Sequence, residues 1–273
     1  MTTTARLANK IAIVTGASSG LGRAISIRYA REGAKLVCAD LTPTARAQVP
    51  SETEIATHDL IVQGGGEALF VKTNVGDAGD MERLVQRAVE VFGRLDILVN
   101  NAGIAIEART PAVCHLTEEE VWDATMRVNS KSVFLGCKYA TAQMLKQEPH
   151  QPSGDRGWII NMSSIMGIVA GLENVISYCA SKGAVSNLTR QVALDYAPHR
   201  IHVNALGPGY TQTAIFQETT SYMTPLKELQ QRHPLKGPGM PDDMARMAVV
   251  LASEDAGWVT GILLPVDGGY TAR

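Results

Sequence analysis

Seven short apolar runs punctuate the chain: KIAIVT (10–15), KLVCAD (35–40), ALFVKT (68–73), LDILVN (95–100), WIINMS (158–163), RIHVNAL (200–206) and ILLPVD (262–267). All are rich in Val, Ile or Leu, and all but RIHVNAL are apolar at successive rather than alternate positions. A strand with one face in water alternates, whereas a strand covered on both faces does not. The runs predict strands of a buried parallel sheet. Between them the apolar period lengthens to that of a helix. Leu21–Glu32, Thr117–Lys146, Tyr178–Tyr196 and Pro241–Ala252 are amphipathic, and so is Asp77–Phe92, with Leu84, Val85, Ala88, Val89 and Phe92 on one stripe. Strand and helix alternating throughout predict an α/β fold, a doubly wound sheet with right-handed crossovers. No Pro- or Gly-rich linker interrupts the pattern, so a single domain over 1–273 is expected.

Three segments break the rhythm. LTPTARAQVP (41–50) reads as a loop, and Ser51 with Glu54 then resembles a capping box opening a short extra helix. QEPHQPSGDRG (147–157) is a polar surface loop. The stretch 213–237 has a weak helical pattern with scattered apolar residues, as expected of a substrate lid near a strand end.

Composition narrows the class. A chain of 273 residues with 45% hydrophobic and 19% charged residues is long enough, and apolar enough, for one full core. A net charge of −2 gives no basic footprint, so no nucleic-acid partner is expected. No apolar run reaches the roughly 18 residues of a membrane span. The start, MTTTARLANK, lacks an apolar signal core, and the four cysteines show no CxxC spacing. A cytoplasmic protein with free thiols is expected, with neither a membrane partner nor, given the scattered histidines, a metal site.

The first chemical signal is TGASSGLG, directly after the first strand run. Its glycines, Gly16, Gly20 and Gly22, let backbone N–H groups approach a diphosphate, and the following helix points its positive end at that anion. Candidate contacts are Gly16, Ser18, Ser19, Gly20 and Leu21. About 20 residues on, at the second strand's tip, Asp40 would accept hydrogen bonds from ribose hydroxyls and repel a 2′-phosphate. Neither Ser18, Ser19 nor Leu41 beside it is basic. The loop therefore reads as an NAD site rather than an NADP site.

A second signal is Tyr178 with Lys182, four residues apart on one helix face. Such a pair is weak alone. In the company of TGASSGLG (15–22), NNAG (100–103), Asn129, NMSS (161–164), YCASK (178–182) and PG (208–209), in this order, the chain resembles the short-chain dehydrogenase/reductase family over essentially its whole length. The resemblance implies a Rossmann-type fold with a seven-stranded parallel sheet, a homotetramer (or homodimer), and the catalytic set Asn129, Ser164, Tyr178 and Lys182. Tyr178 would be the acid/base, Lys182 would grip the nicotinamide ribose, and Asn129 would order a water linking Lys182 to solvent. Ser164 is preferred to Ser163 because it precedes Tyr178 by fourteen positions and a strand turns alternate side chains apart. Tyrosine titrates near 10, so working near neutral pH requires a shift of about 3 units, roughly 4 kcal/mol. One positive charge at about 4 Å supplies a similar amount at an effective dielectric near 20.

The resemblance also implies cofactor contacts at Asn74 and Val75, at Asn101, Ala102 and Gly103, and at Pro208, Gly209, Thr211 and Thr213. Asn74 stands where many relatives carry an adenine-reading aspartate. The residues expected to face substrate are Ile104, Ala105, Ile106, Ile165, Met166, Tyr210, Phe216, Tyr222 and Met223, a mainly apolar set, with Arg109 a loop-borne candidate for a carboxylate. The expected function is NAD-dependent transfer of a hydride between a small secondary alcohol or ketone and the nicotinamide. An NADPH-dependent ketone reductase is the alternative, and a nucleotide-binding sensor without turnover a third.

Overall fold

A computed structural model describes residues 5–45, 50–171 and 174–272. The seven predicted strands are present: β1 (Ile11–Thr15), β2 (Lys35–Asp40), β3 (Ala68–Lys72), β4 (Ile97–Asn100), β5 (Gly157–Met162), β6 (Ile201–Pro208) and β7 (Leu263–Val266). They form one sheet in the order β3-β2-β1-β4-β5-β6-β7, and every neighbouring pair is parallel. Successive residues of a strand serve opposite faces. Ala12 and Val14 join Leu36, Cys38, Trp158 and Ile160 in one core, while Ile11 and Ile13 join Val37, Leu98, Ile159 and Val203 in the other. This is why the strand runs are apolar without alternation. Only the edge strands β3 and β7 depart from it, being half-buried along most of their length.

Helices α1 (Gly20–Arg31) and α10 (Pro241–Leu251) cover the first face through Ile25, Tyr29, Ala245, Ala248 and Val249. The second face is covered by α4 (Ala78–Phe92), α6 (Ser132–Met144) and α7 (Ile176–Tyr196). Helix α4 shows how local sequence sets bounds. Asp77 accepts a hydrogen bond from the Asp80 N–H at its start, and Gly93 ends it in the left-handed conformation at φ 87°.

The stretch 117–146 is not one regular helix. Helix α5 (Glu119–Met126) passes into a π-helical turn at Arg127–Lys131 before α6 begins. Such a turn inserts a residue into the hydrogen-bond ladder, and amphipathic periodicity is blind to it. The extra helix after β2 also differs from expectation. A single turn, α2 (Pro50–Thr53), precedes α3 (Thr57–Gln63), whose N-cap is Ala56. The side chain of Ser51 and residues 46–49 lie outside the described residues. From this segment, it is the Glu52 carboxylate that reaches a helix start, accepting from Gly20 N–H of α1. The remaining helices, α8 (Ala214–Tyr222) and α9 (Leu226–Arg232), occupy the stretch expected to be a lid.

The chain grows the sheet outward from β1 to β3, then returns to β1's other side with β4. At that switch the two connections leave in opposite directions and a crevice opens beyond the strands' C-terminal ends. One close approach holds its floor. A Cβ on Gly136 of α6 would lie 2.0 Å from Asn100 Oδ1. Asn100 Nδ2 donates to Asn161 Oδ1 (2.9 Å), and Asn161 Nδ2 donates to Thr189 Oγ1 (3.0 Å), tying β4 to β5 and α7. Gly136→Ala should displace Asn100 and break this buried chain, lowering stability by roughly 1–3 kcal/mol. Urea denaturation checks it; an unchanged midpoint would show that α6 can retreat freely.

Candidate active site

The loop after β1 faces the crevice. Ser19 starts α1 without a side-chain cap, leaving the first-turn N–H groups for another anion. Gly20 N–H already holds one, lying 3.1 and 3.2 Å from the two Glu52 oxygens. That carboxylate stands in for the phosphate group such a helix start is built to bind. Gly22 makes the loop's packing possible, since a Cβ there would sit 2.1 Å from Gly16 O and 2.5 Å from Asn101 Nδ2. Thr15 and Asn101 weld the two lips of the crevice. Thr15 Oγ1 accepts from the N–H groups of Asn101 and Ala102, each at 3.0 Å, and Asn101 Nδ2 donates to Thr15 O at 2.8 Å.

Beyond this loop, Asp40 is held rigidly at the tip of β2. Its Oδ2 accepts from Ser18 N–H (3.1 Å) and its Oδ1 from Leu41 N–H (2.7 Å), leaving lone pairs on both oxygens for a ligand. Asp40, Leu41, Asn74 and Val75 all line the cleft. Ser18 does not. It is buried beneath the loop, its hydroxyl donating to Thr42 O at 2.6 Å. On the opposite rim, Pro208, Gly209, Thr211 and Thr213 follow β6 and line the cleft as well. Thr213 is fixed as the N-cap of α8, accepting from Phe216 N–H.

Helix α7 presents Tyr178 and Lys182 one turn apart. Lys182 is buried, and its Nζ donates to Met162 O at 2.8 Å while lying 5.6 Å from the centre of the Tyr178 ring. Burial lowers the lysine pKa to about 8. Burial also raises the tyrosine pKa; a hydrogen bond with Ser164 opposes the rise, and the neighbouring Cys179 adds to it. The expected downward pull of Lys182 on the phenol is therefore not the governing effect. Desolvation is larger, and the ammonium is engaged by a carbonyl.

The two serines after β5 diverge. Ser164 Oγ accepts from Met166 N–H (3.1 Å) at the cleft wall. Ser163 also lines the cleft, but its Oγ donates to Lys182 O (3.0 Å) and pairs with Ser186 Oγ (2.8 Å), which ties its hydroxyl into the packing against α7. Asn129 occupies the π-helical turn and is fully buried. Its Oδ1 accepts from Ile104 N–H (2.8 Å), and its Nδ2 donates to Ile104 O (2.9 Å) and Ser181 Oγ (3.1 Å). It lies behind the cleft, joining the β4 loop to α7.

These groups surround one cleft of about 400 Å³. Ile104, Ala105, Ile165, Met166, Tyr210, Phe216 and Met223 line it, as expected, whereas Ile106 and Tyr222 do not; Tyr222 is 64% exposed. Arg109 points elsewhere, paired with Glu218 of α8. Sequence reasoning did not single out Met162, whose carbonyl holds Lys182, nor Glu107, a buried carboxylate in the loop after β4. Neither has a local signal, because a backbone carbonyl is invisible in sequence and a lone acid in a loop reads as solvated.

The geometry fits a dinucleotide. The start of α1, the fixed carboxylate of Asp40 and the buried Lys182 all line the same cleft. Among the described residues, no group of three His, Cys, Asp or Glu could hold a metal ion, and no helix is long and apolar enough to cross a membrane.

Comparison with known proteins agrees with this class. The sequence profile described as enoyl-(acyl carrier protein) reductase matches residues 16–271. A 2,5-dichloro-2,5-cyclohexadiene-1,4-diol dehydrogenase of Sphingobium indicum is 37% identical over 97% of this chain and 98% of its own. A short-chain type dehydrogenase/reductase from Mycobacterium marinum superposes with a TM-score of 0.87 at 28% identity, covering 99% of this chain and 98% of that one. A structure described as a candidate 2-deoxy-D-gluconate 3-dehydrogenase from Agrobacterium tumefaciens, with NADP bound, has a TM-score of 0.80 at 32% identity, covering 99% of this chain and all of its own. The chain belongs to the short-chain dehydrogenase/reductase family, whose members are oxidoreductases that use a nicotinamide cofactor.

Proposed function

We propose that the protein is an NAD-dependent dehydrogenase interconverting a secondary alcohol and its ketone, with Tyr178 as the acid/base. The observation that carries this reading is the meeting of Ser164, Tyr178 and Lys182 on one largely apolar cleft, with Lys182 one helical turn from Tyr178 and its Nζ 5.6 Å from the phenol ring centre. NAD, when bound, supplies the hydride acceptor. Gly16, Ser19, Gly20, Leu21 and Asp40 would hold its adenosine and diphosphate side, with Leu41, Asn74 and Val75 beside them. Asn101, Ala102, Gly103, Lys182, Pro208, Gly209, Thr211 and Thr213 would hold the rest.

Tyr178 takes the hydroxyl proton of the alcohol, and Ser164 donates to the substrate oxygen and stabilises charge developing there. Lys182 favours the tyrosinate against the burial that opposes it. Asn129 keeps Ile104 and Ser181, hence the substrate wall and α7, in fixed relation. The lining of Ile104, Ile165, Met166, Phe216 and Met223 supports a substrate with an apolar skeleton. The activity named for the Sphingobium relative, on a ring-borne diol, supports a cyclic one.

The NADP bound in the Agrobacterium neighbour favours a second reading, an NADPH-dependent ketone reductase. Asp40 opposes it, since a fixed carboxylate repels a 2′-phosphate. A nucleotide sensor without turnover would not need Ser164, Tyr178 and Lys182 converging on one cleft.

The proposal is tested by activity, pH dependence, cofactor choice and amide exchange. NADH absorbance should grow when cyclic secondary alcohols are added with NAD, and Tyr178→Phe should cut turnover by about 10²–10⁴ while the fold is kept. Because the base must be deprotonated, oxidation should speed up as pH rises. Lys182→Ala removes the charge favouring the tyrosinate, so the rise should move to higher pH; a rise at the wild-type pH would show that the lysine does not tune the phenol. On cofactor choice, wild-type kcat/KM should be higher for NAD than for NADP, and Asp40→Ala should erode the ratio. The opposite wild-type preference would sink the NAD assignment. The stretch 213–237, with Ala214, Ile215, Phe216, Thr219 and Met223 on the cleft and Leu229 and His233 buried as anchors, we read as a substrate lid. Amide exchange over α8 should slow on adding NAD with a substrate analogue, and strong protection already present in the free enzyme would rule a lid out.

A further inference from the structure

We propose that Glu107 is a positioning residue for Tyr178, holding the acid/base from a different segment of the chain. The inference rests on the acid/base role proposed for Tyr178. Glu107 lies in a short 3₁₀ turn, Ile106–Ala108, in the loop after β4. It is only 2% exposed, yet among the described residues it pairs with no lysine or arginine. Its Oε1 accepts from Ser177 N–H and from Ser177 Oγ, both at 3.1 Å, and its Oε2 accepts from Tyr178 N–H at 2.9 Å. A carboxylate removed from water needs compensation of this kind, and here the donors are the second and third residues of α7.

The α7 N-cap is Val175, which has no side chain able to cap. Glu107 fills that duty from about 70 residues earlier in the chain. A helix start held by its own neighbour is fixed only relative to itself. Held from the β4 loop, it is fixed relative to the cleft. The same loop is bonded at Ile104 to Asn129, at Ala112 to Asn174 next to the start of α7, and at Arg109 to Glu218 of the lid helix α8. The Tyr178 backbone N–H is thus tied to a segment that also lines the substrate end and touches the lid. Glu107 lines the cleft, but all three of its recorded bonds go to the first turn of α7, so its role is to place Tyr178.

Charge gives this role a signature. The helix start carries partial positive charge, which favours a tyrosinate on its first turn, and the carboxylate cancels it. The titratable groups around Tyr178 are Lys182 and Cys179 on its own helix and Glu107, which holds its backbone N–H. Removing the negative charge should make the phenol easier to ionise, while removing the hydrogen bonds should displace it.

The test uses the full-length enzyme with NAD and a cyclic secondary alcohol identified by screening. Glu107→Ala is expected to lower kcat about 10- to 100-fold, because a misplacement of the order of 1 Å has that effect, with KM for NAD within about twofold of wild type. Glu107→Gln keeps one acceptor and loses the charge; it should recover part of kcat and move the rise of oxidation rate to lower pH. A merely structural residue would lower the melting temperature and leave the pH profile of the folded fraction in place. If Glu107→Ala does not fold, Ser177→Ala, which deletes one of the three donors, takes its place, with a two- to fivefold loss of kcat expected. Wild-type kcat and pH profile in Glu107→Gln, with Tyr178→Phe inactive, overturn the inference alone. An active Tyr178→Phe overturns the reading on which it rests.

Discussion

Parallel pairing throughout the sheet is the constraint on which the rest of the structure depends. Because all seven strands run the same way, every loop that carries chemistry leaves by the same edge. The Gly16–Gly20 turn, Asp40, Asn74, the Asn101–Gly103 turn, Ser164 and the Pro208–Thr213 segment follow six different strands and still meet at one crevice. The price of that arrangement is a sheet apolar on both faces, which must be sheathed by helices on each side. Helices α1 and α10 on one face and α4, α6 and α7 on the other meet that need.

The cleft concentrates polar groups in apolar surroundings, and their partners come from far along the chain. Lys182 is satisfied by Met162 O, Asn129 by Ile104 and Ser181, Glu107 by Ser177 and Tyr178. None of these pairs is local except through the fold. Each would be costly if left unmade, so the network specifies one arrangement of the β4 loop, the π-helical turn and α7. Burial pushes the phenol pKa of Tyr178 up and the ammonium pKa of Lys182 down, each toward its neutral form. A positively charged nicotinamide arriving in the same cleft would favour the tyrosinate and counteract the first of these shifts.

The strands were legible because a two-sided burial leaves unbroken apolar runs, and their bounds agree with the coordinates to within two residues. The regular helices were legible through their apolar stripes, as with Leu84, Val85, Ala88 and Phe92 of α4, which pack into the core. Where reading failed, the interaction was not periodic. The π-helical turn at Arg127–Lys131 interrupts a pattern that looks continuous in sequence. The segment after Asp40 has too few apolar residues to fix where its helix begins, and tertiary contacts of Thr57 with Ala17 O and Arg23 set it instead. Ser18 looked like a ligand contact by its place in the glycine loop, but its hydroxyl is taken by Thr42 O.

By itself the sequence determined the class of fold, the phosphate-type loop, the choice of a carboxylate at position 40 and the Tyr178–Lys182 spacing, because each is set by residues close together in the chain or by strict periodicity. Tertiary structure alone decided that the Ser163 hydroxyl is taken by Lys182 O and Ser186, that Lys182 rests on a carbonyl, that Asn129 lies behind the wall, and that Glu107 holds the start of α7. Those facts depend on groups brought together across tens of residues by the return of β4 to β1, and no local pattern encodes a partner at that distance.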